Sequence, residues 1–321
     1  MRGALATTLV AGSLLVVGAA APSGAASAAA STHQPLKSIL FVNPLPDYPA
    51  WKVIGACMAT EAKKLNIKFS QAGPPGESIN TQYMLARLDQ GIADKVGAIV
   101  TFPLSAPQFN PVMEQARNKG IWVATVEGAN STTAQNVDVG TSYAQFGQLA
   151  AKTIGAKKGM QYVGFIEPTD TPPASTFVNN FETAAHKYSN IKIVAIQYDQ
   201  GNPANDVDIA TTMMTANPKL NMFVTNEGAA TPGVISAIKA QGQVGKVFLT
   251  TNSVYSGAVA GMKAGIVYST LLQDMCQIGI EPVIALSALA AGKNVPSEIA
   301  TPIKFATESD IAALTAGGKY Q

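Results

Sequence analysis

The segment SILFVNPLPDYPAWKVIGACMATEAKKL, residues 38–65, sets out the first structural unit of the chain. SILFVN (38–43) is a short run rich in β-branched and aromatic residues, which predicts a strand. WKVIGACMATEAKKL (51–65) brings Val53, Ile54, Cys57, Met58 and Leu65 to one face of a helix, with lysines opposite. The connecting NPLPDYPAW holds three prolines, two aromatics, one acid and no glycine. A dinucleotide cradle needs glycines in this turn so that the backbone can approach a pyrophosphate. That function is therefore excluded. Two roles remain open for Tyr48 and Trp51: a plug in a local apolar gap, or the wall of a site.

The strand–helix alternation continues outward from this unit. IKFSQA (67–72), GAIVTF (97–102) and IWVATVE (121–127) read as strands, with helices over 78–90 and 108–118 between them; Gly120 stands where a C-cap glycine belongs. The pattern restarts at VDVG (137–140), which leads into a helix over 143–154. MQYVGFIE (160–167), IKIVAIQYD (191–199), MFVTN (222–226), VFLTTN (247–252) and STLLQD (269–274) are further strands, and 175–188 is helical. Near-continuous apolar strands predict parallel sheets buried on both faces, and the alternation predicts doubly wound α/β units. Several strand ends carry polar or aromatic residues: Asn43/Tyr48/Trp51, Phe102/Pro103, Glu127/Gly128, Glu167/Pro168, Asn226/Glu227, Asn252/Tyr255 and Gln273/Asp274. Ligands of open α/β sheets bind outside the carboxyl ends of the strands. Solvated loops account for any one of these clusters; together they point to a cleft.

Composition narrows the function classes. Arg2, the apolar run 5–21 and the small-residue tract that follows have the layout of a secretory signal, taken here as residues 1–30. No cysteine lies in that region to carry a lipid anchor, and no other apolar run is long enough to cross a membrane. The net charge is +2 with no basic stripe, which argues against nucleic acid. Charged residues are 13% and hydrophobic residues 47% of the chain, a balance suited to a large core.

The residues for catalysis are not assembled in the sequence. The histidines are His33, near the mature N-terminus, and His186, on a helix surface; no metal-ligand spacing occurs. There is no G-x-S-x-G elbow and no phosphate-binding P-loop. Glu127, Glu167, Glu227 and Asp274 are the carboxylates that a glycosidase pair would have to come from, but a binding role needs fewer assumptions. Cys57 and Cys276 are the only cysteines, and they are read either as a disulfide of an exported protein or as two small buried side chains.

The order and spacing of FVNPLPDYPAW, LDQGIADKVGAIVTFPLSAPQFNPVMEQARNKGIWVATVE, NVDVGTSYAQFGQLAA and VTNEGAATPGVISAIKAQG through VFLTTN to STLLQDMCQIG resemble the type I periplasmic solute-binding proteins of ABC importers. The likeness is to the ribose-binding-like sugar group, with AGPPGESINTQ similar to its rhamnose and autoinducer branch, and it runs from about Leu36 to Phe305. It implies an α/β fold of two Rossmann-like doubly wound lobes joined by a three-segment hinge. The lobes are expected over 31–138 plus 275–299 and over 139–274 plus 300–321, with crossings near 135–140, 273–275 and Ala300. A helix over 276–289 returns to the first lobe, which puts both cysteines there and makes their pairing conceivable.

The resemblance also implies a ligand set: Tyr48 and Trp51 as ring contacts, Glu127 for hydroxyls, then Asn226, Asn252 and Gln273; Phe102 joins it as a candidate from its strand-end cluster. Gly128 and Phe177 stand where relatives carry arginine, and Phe177 is kept as a ligand contact. It implies a small sugar, polyol or related ligand, an ABC permease as partner, a monomer, and neither cofactor nor metal. Alternatives are an aromatic, heterocyclic or signal-furanose ligand, a receptor subunit for a sensor kinase, and a secreted carbohydrate-active enzyme.

Overall fold

A computed structural model describes residues 35–76, 79–128, 134–252, 254 and 257–316. The expected leader, His33, Ser78 and Tyr255 lie outside the described residues. The first series of elements is β1 Ser38–Val42, α1 Pro49–Lys64, β2 Lys68–Ala72, α2 Thr81–Ala93, β3 Ala98–Thr101, α3 Ala106–Asn118, β4 Trp122–Val126 and β5 Val137–Gly140. The second is α4 Tyr143–Gly155, β6 Gln161–Glu167, α5 Ala174–Ala185, β7 Ile191–Tyr198, α6 Asp206–Ala216, β8 Met222–Val224, α7 Thr231–Ala240, β9 Phe248–Asn252, α8 Ala258–Lys263 and β10 Val267–Gln273. The chain closes with α9 Met275–Ala290, β11 Glu298–Ala300, β12 Ile303–Ala306 and α10 Glu308–Thr315.

These elements build two α/β lobes, each around a six-stranded sheet. The first sheet, ordered β11-β5-β4-β3-β1-β2, is parallel throughout. The second, β12-β10-β9-β8-β6-β7, is parallel except for β12, which runs against β10. Alternate residues of β1 serve opposite faces, as the two-residue period of a strand requires. Phe41 packs with Ile54 and Met58 of α1 and Ile278 and Leu286 of α9. Val42 packs with Met84 and Leu88 of α2 and Phe109 of α3. In the second sheet, α4 and α5 bring Phe146, Phe177 and Phe181 onto Phe165, while α6, α7 and α8 cover Phe223 with Met213, Ile238 and Met262.

The helix α9 returns from the second sheet to the first and lies close against α1. A Cβ on Gly279 would fall 2.3 Å from the Ile54 carbonyl oxygen, so only glycine allows this approach. One turn away Cys57 and Cys276 form a disulfide, with Cα atoms 5.3 Å apart. Of the two readings of the cysteines, the bond is the one the fold adopts.

The chain passes between the sheets at Thr141–Ser142, at Asp274 and at Thr301–Pro302. This shifts the expected first crossing: Val137–Gly140 is not a link but a strand between β4 and β11. Val137 and Val139 are fully buried, and that alternation draws the segment into the sheet. Ala300 likewise ends a strand of the first sheet, and the crossing follows it. The three passes are bonded side by side. The Thr301 N–H donates to the Gly140 carbonyl at 2.9 Å, the Asp274 N–H to the Pro302 carbonyl at 3.2 Å, and the Gln273 amide to the Thr141 hydroxyl.

Candidate functional site

In each sheet the winding direction reverses between two neighbouring strands, β1 and β3 in the first, β6 and β8 in the second. Such switch points open a crevice at the carboxyl ends of the strands. A cavity of ≈ 280 Å³ lies there, lined from both lobes by residues that include Tyr48, Trp51, Phe102, Glu127, Tyr143, Glu227, Asn252 and Gln273. That volume is just below the usual range for ligand pockets, about 300 to 1,000 Å³.

The glycine-free loop after β1 is held by Asn43, which is fully buried. Its side-chain oxygen accepts from the Leu45 N–H at 3.0 Å and its amide donates to the Trp51 carbonyl at 3.2 Å. Pro49 opens α1, where a missing N–H costs nothing because the first helical donors have no partner in any case. The loop therefore delivers Trp51 at the first turn of α1, edge-on to Phe102 with ring centres 5.5 Å apart. Trp51 also stacks on Phe41 at 6.5 Å. It packs on the core and also lines the cavity.

Glu127 is the knot of the site. It follows β4 with φ 54, a left-handed backbone that is uncommon outside glycine. A Cβ on Gly140 would come 2.8 Å from its carboxylate, so the strand opposite must be bare there. One carboxylate oxygen accepts from the Thr141 N–H at 2.8 Å and the Thr141 hydroxyl at 3.2 Å; the other accepts from the Gln273 amide at 3.1 Å. Glu127 thus joins the first two crossings while facing the cavity. Burial pushes its pKa up to about 7, with Asp138 adding to the rise and the Thr141 and Gln273 bonds opposing it.

On the second lobe, Tyr143 begins α4 directly after the N-cap Ser142, and Glu227 follows the Asn226 turn. Burial raises the Tyr143 hydroxyl far above its ordinary value, and the nearby Glu127 and Glu227 charges act in the same direction. Burial raises Glu227 to about 7, with Asp199 beside it contributing. The Asn252 amide donates to the Asn226 carbonyl at 3.0 Å.

Two members of the expected ligand set stand elsewhere. Phe177 is not a cavity residue: it is fully buried, with its ring centre 4.4 Å from that of Phe146 and 5.9 Å from that of Phe165. It faces the aromatic core because that face of α5 carries Phe177, Val178 and Phe181 together. Asn226 is 5% exposed and lies behind the lining, its N–H donating to Glu167 at 3.1 Å. Asp274 caps α9 by accepting from the Gln277 N–H at 3.0 Å. Gly128 admits no larger residue as it stands, since a Cβ would meet the Pro103 ring at 2.7 Å.

Tyr143 and Glu227 were not in the expected ligand set. For Glu227 the signal was its place beside Asn226 at a strand end; for Tyr143 it was the position immediately after a crossing. Among the described residues no group of three His, Cys, Asp or Glu side chains is placed to hold a metal ion.

Two doubly wound lobes, three crossings and a cavity at both switch points define a cleft-type binding protein. The chain matches the model of the periplasmic binding protein domain over residues 39–294, and it belongs to that family. It is 25% identical over 273 residues to the D-allose-binding periplasmic protein of Escherichia coli (strain K12), covering 80% of this chain and 86% of that one. The solved glucose-galactose binding protein from Geobacillus stearothermophilus superposes with a TM-score of 0.78 at 24% identity, over 87% of this chain and 99% of that one. A periplasmic solute-binding protein from Actinobacillus succinogenes 130z with bound D-allose gives 0.72 at 20% identity, over 87% and 100%. At these identities the likeness to the solved structures is one of fold. No helix among the described residues is long and apolar enough to cross a membrane.

Proposed function

We propose that this protein captures a small sugar-like molecule between its lobes outside the cytoplasm and delivers it to an ABC transporter permease. Residues 1–30 would direct export, and the protein would act as a monomer and without catalysis. The observation that carries the reading is the cavity at the paired switch points, walled by Trp51 and Phe102 and edged by Glu127, Asn252 and Gln273. Tyr48, Trp51 and Phe102 would cover the apolar face of the ring, and the carboxylate and amides would take its hydroxyls. Each such bond contributes about 1 kcal/mol net, and leaving one unmade costs more. The sugar-binding relatives support this ligand class.

Neither lobe alone encloses the cavity, so a ligand touching both favours the closed arrangement by its extra contacts there. Bending would fall on Thr141–Ser142, Asp274 and Thr301–Pro302. Glu127, bonded to two of the crossings, would couple occupancy to that motion. The test is a thermal-shift screen of the purified protein over pentoses, hexoses, polyols and amino sugars, followed by calorimetry. A ligand at about one hundred times its Kd stabilises by about 2.7 kcal/mol and raises the melting temperature by several degrees. If no member of the panel shifts the transition, the reading is wrong.

A further inference from the structure

The second lobe holds an unusual concentration of acids beside the cavity. Glu167 ends β6, Asp199 follows β7, Asp206 opens α6 and Glu227 follows β8; the first three are 0%, 1% and 0% exposed. Glu167 accepts from the Asn226 N–H and Asp199 from the Gly201 N–H. Glu167 Oε2 and Glu227 Oε2 are buried without a hydrogen-bond partner, and the Asp206 carboxyl has the Asp199 carboxyl as its neighbour. These acids sense one another. Asp199 acts on Glu227, both act on Glu167, and Asp206 lies close enough to Asp199 to share a proton with it. Across the cavity Glu127 adds a further carboxylate. None of the described residues lining the cavity is basic.

Burial holds Glu127 and Glu227 towards their protonated forms; neutral hydroxyls leave those protons in place, whereas an ammonium can take their place and pair with the carboxylates. Trp51, Phe102 and Tyr143 present aromatic rings to the same space, and ring faces attract cations. Since no trio of His, Cys, Asp or Glu side chains among the described residues is placed to hold a metal ion, an organic cation fits the site better than a bare one.

We infer that the ligand carries a basic nitrogen, an amino sugar or amino polyol whose ammonium sits between Glu127 and Glu227 while its ring rests on the aromatic wall. This rests on the proposal that the cavity is the ligand site. Glu167, Asp199 and Asp206 stand behind Glu227 and bring no positive charge to that wall. The ammonium replaces protons that the acids otherwise hold, so binding releases protons and strengthens as pH rises from 5.5 to 7.5. The groups facing these acids are Asp138, Thr141 and Gln273 at Glu127, and Asp199 at Glu227, with Tyr143 near both; none supplies a competing positive charge.

The experiment is calorimetry of the purified protein with matched pairs: glucosamine and glucose, galactosamine and galactose, mannosamine and mannose, glucamine and sorbitol. Calcium chloride alone serves as a further arm. At least one amine should bind ten-fold or more tighter than its neutral partner at pH 7.5, and it should lose about ten-fold at pH 5.5. Glu227→Gln should bring that amine down to its partner's affinity. This variant is isosteric and removes a carboxylate with an orphaned oxygen, so it should melt no lower than the parent, which separates lost binding from lost folding. If neutral sugars bind as tightly as amines, the inference fails and the sugar-binding reading stands. Stabilisation by calcium without preference for amines overturns it in favour of a metal site. If neither amines nor neutral partners bind, both readings fall.

Discussion

Breaking the Cys57–Cys276 bond gives the sharpest test of how the first lobe is held. The bond spans 219 residues of sequence, so the loop it closes contains the whole second sheet except β12. In the chain-entropy account, a loop of that length restricts the denatured chain by about 5 kcal/mol at 25 °C. If the second lobe stays folded while the first unfolds, the flexible part of the loop shortens, but the dependence is logarithmic and the figure changes little. Serine at both positions should therefore lower stability by about 3 to 5 kcal/mol and the melting temperature by about 10 °C. Trp51 and Trp122, the only tryptophans, both belong to the first lobe, so their fluorescence during urea unfolding reports the lobe that the bond ties. Reduction of the wild-type protein should give the same midpoint as the double variant. A loss below about 1 kcal/mol would refute the reasoning and mean that α9 is held to α1 by packing alone.

Three further outcomes follow from the packing and charge. Gly279→Ala pushes a methyl into the Ile54 carbonyl and should cost about 1 to 3 kcal/mol in urea unfolding, whereas a neutral result would mean that α1 and α9 separate freely. Phe177→Ala empties part of the aromatic core and should cost about 3 to 5 kcal/mol, read from the midpoint of the far-ultraviolet circular dichroism transition; a change below 1 kcal/mol would contradict its core role. The ligand-free protein should lose stability as pH rises from 5 to 8. Glu127, Glu227 and Asp206 are raised to about 7 and Asp138 to about 6, so the folded state holds these protons more tightly than the unfolded state. Their contribution is full below about pH 4 and is lost through pH 6 to 7; a shift from 4.5 to 7 in one group corresponds to at most about 3 kcal/mol. A urea midpoint that climbs over that range would contradict the pKa assignments.

The strand–helix order was readable because hydrophobic period and strand-end polarity are local properties. That Trp51, Phe102, Glu127 and Gln273 would come together at one cavity was legible for the same reason: each closes a strand or opens the helix after it. Phe177 could not be placed, because sequence shows an apolar residue at the start of a helix but not which way that helix turns on its sheet. Tyr143 was missed as a cavity residue because it reads as an ordinary first helical position. The gathering of Glu167, Asp199, Asp206 and Glu227 was beyond reach for a different reason. It depends on β7 and β8 flanking β6 in space, and Glu167 and Glu227 are 60 residues apart in the chain. The disulfide likewise needed the return of α9 to the first lobe before the cysteines could meet.

The central claim is that a small ligand is enclosed between the lobes against Trp51. Trp122→Phe leaves Trp51 as the sole tryptophan, so its fluorescence reports the cavity alone. Titrating this variant with the sugars and amino sugars that shift the melting temperature should give a saturable change with one site per chain. The same titration in Trp51→Ala, followed by calorimetry, should show at least ten-fold weaker binding. A ligand that binds the protein tightly yet leaves Trp51 emission unchanged, with undiminished affinity for Trp51→Ala, would place the site elsewhere and contradict the account.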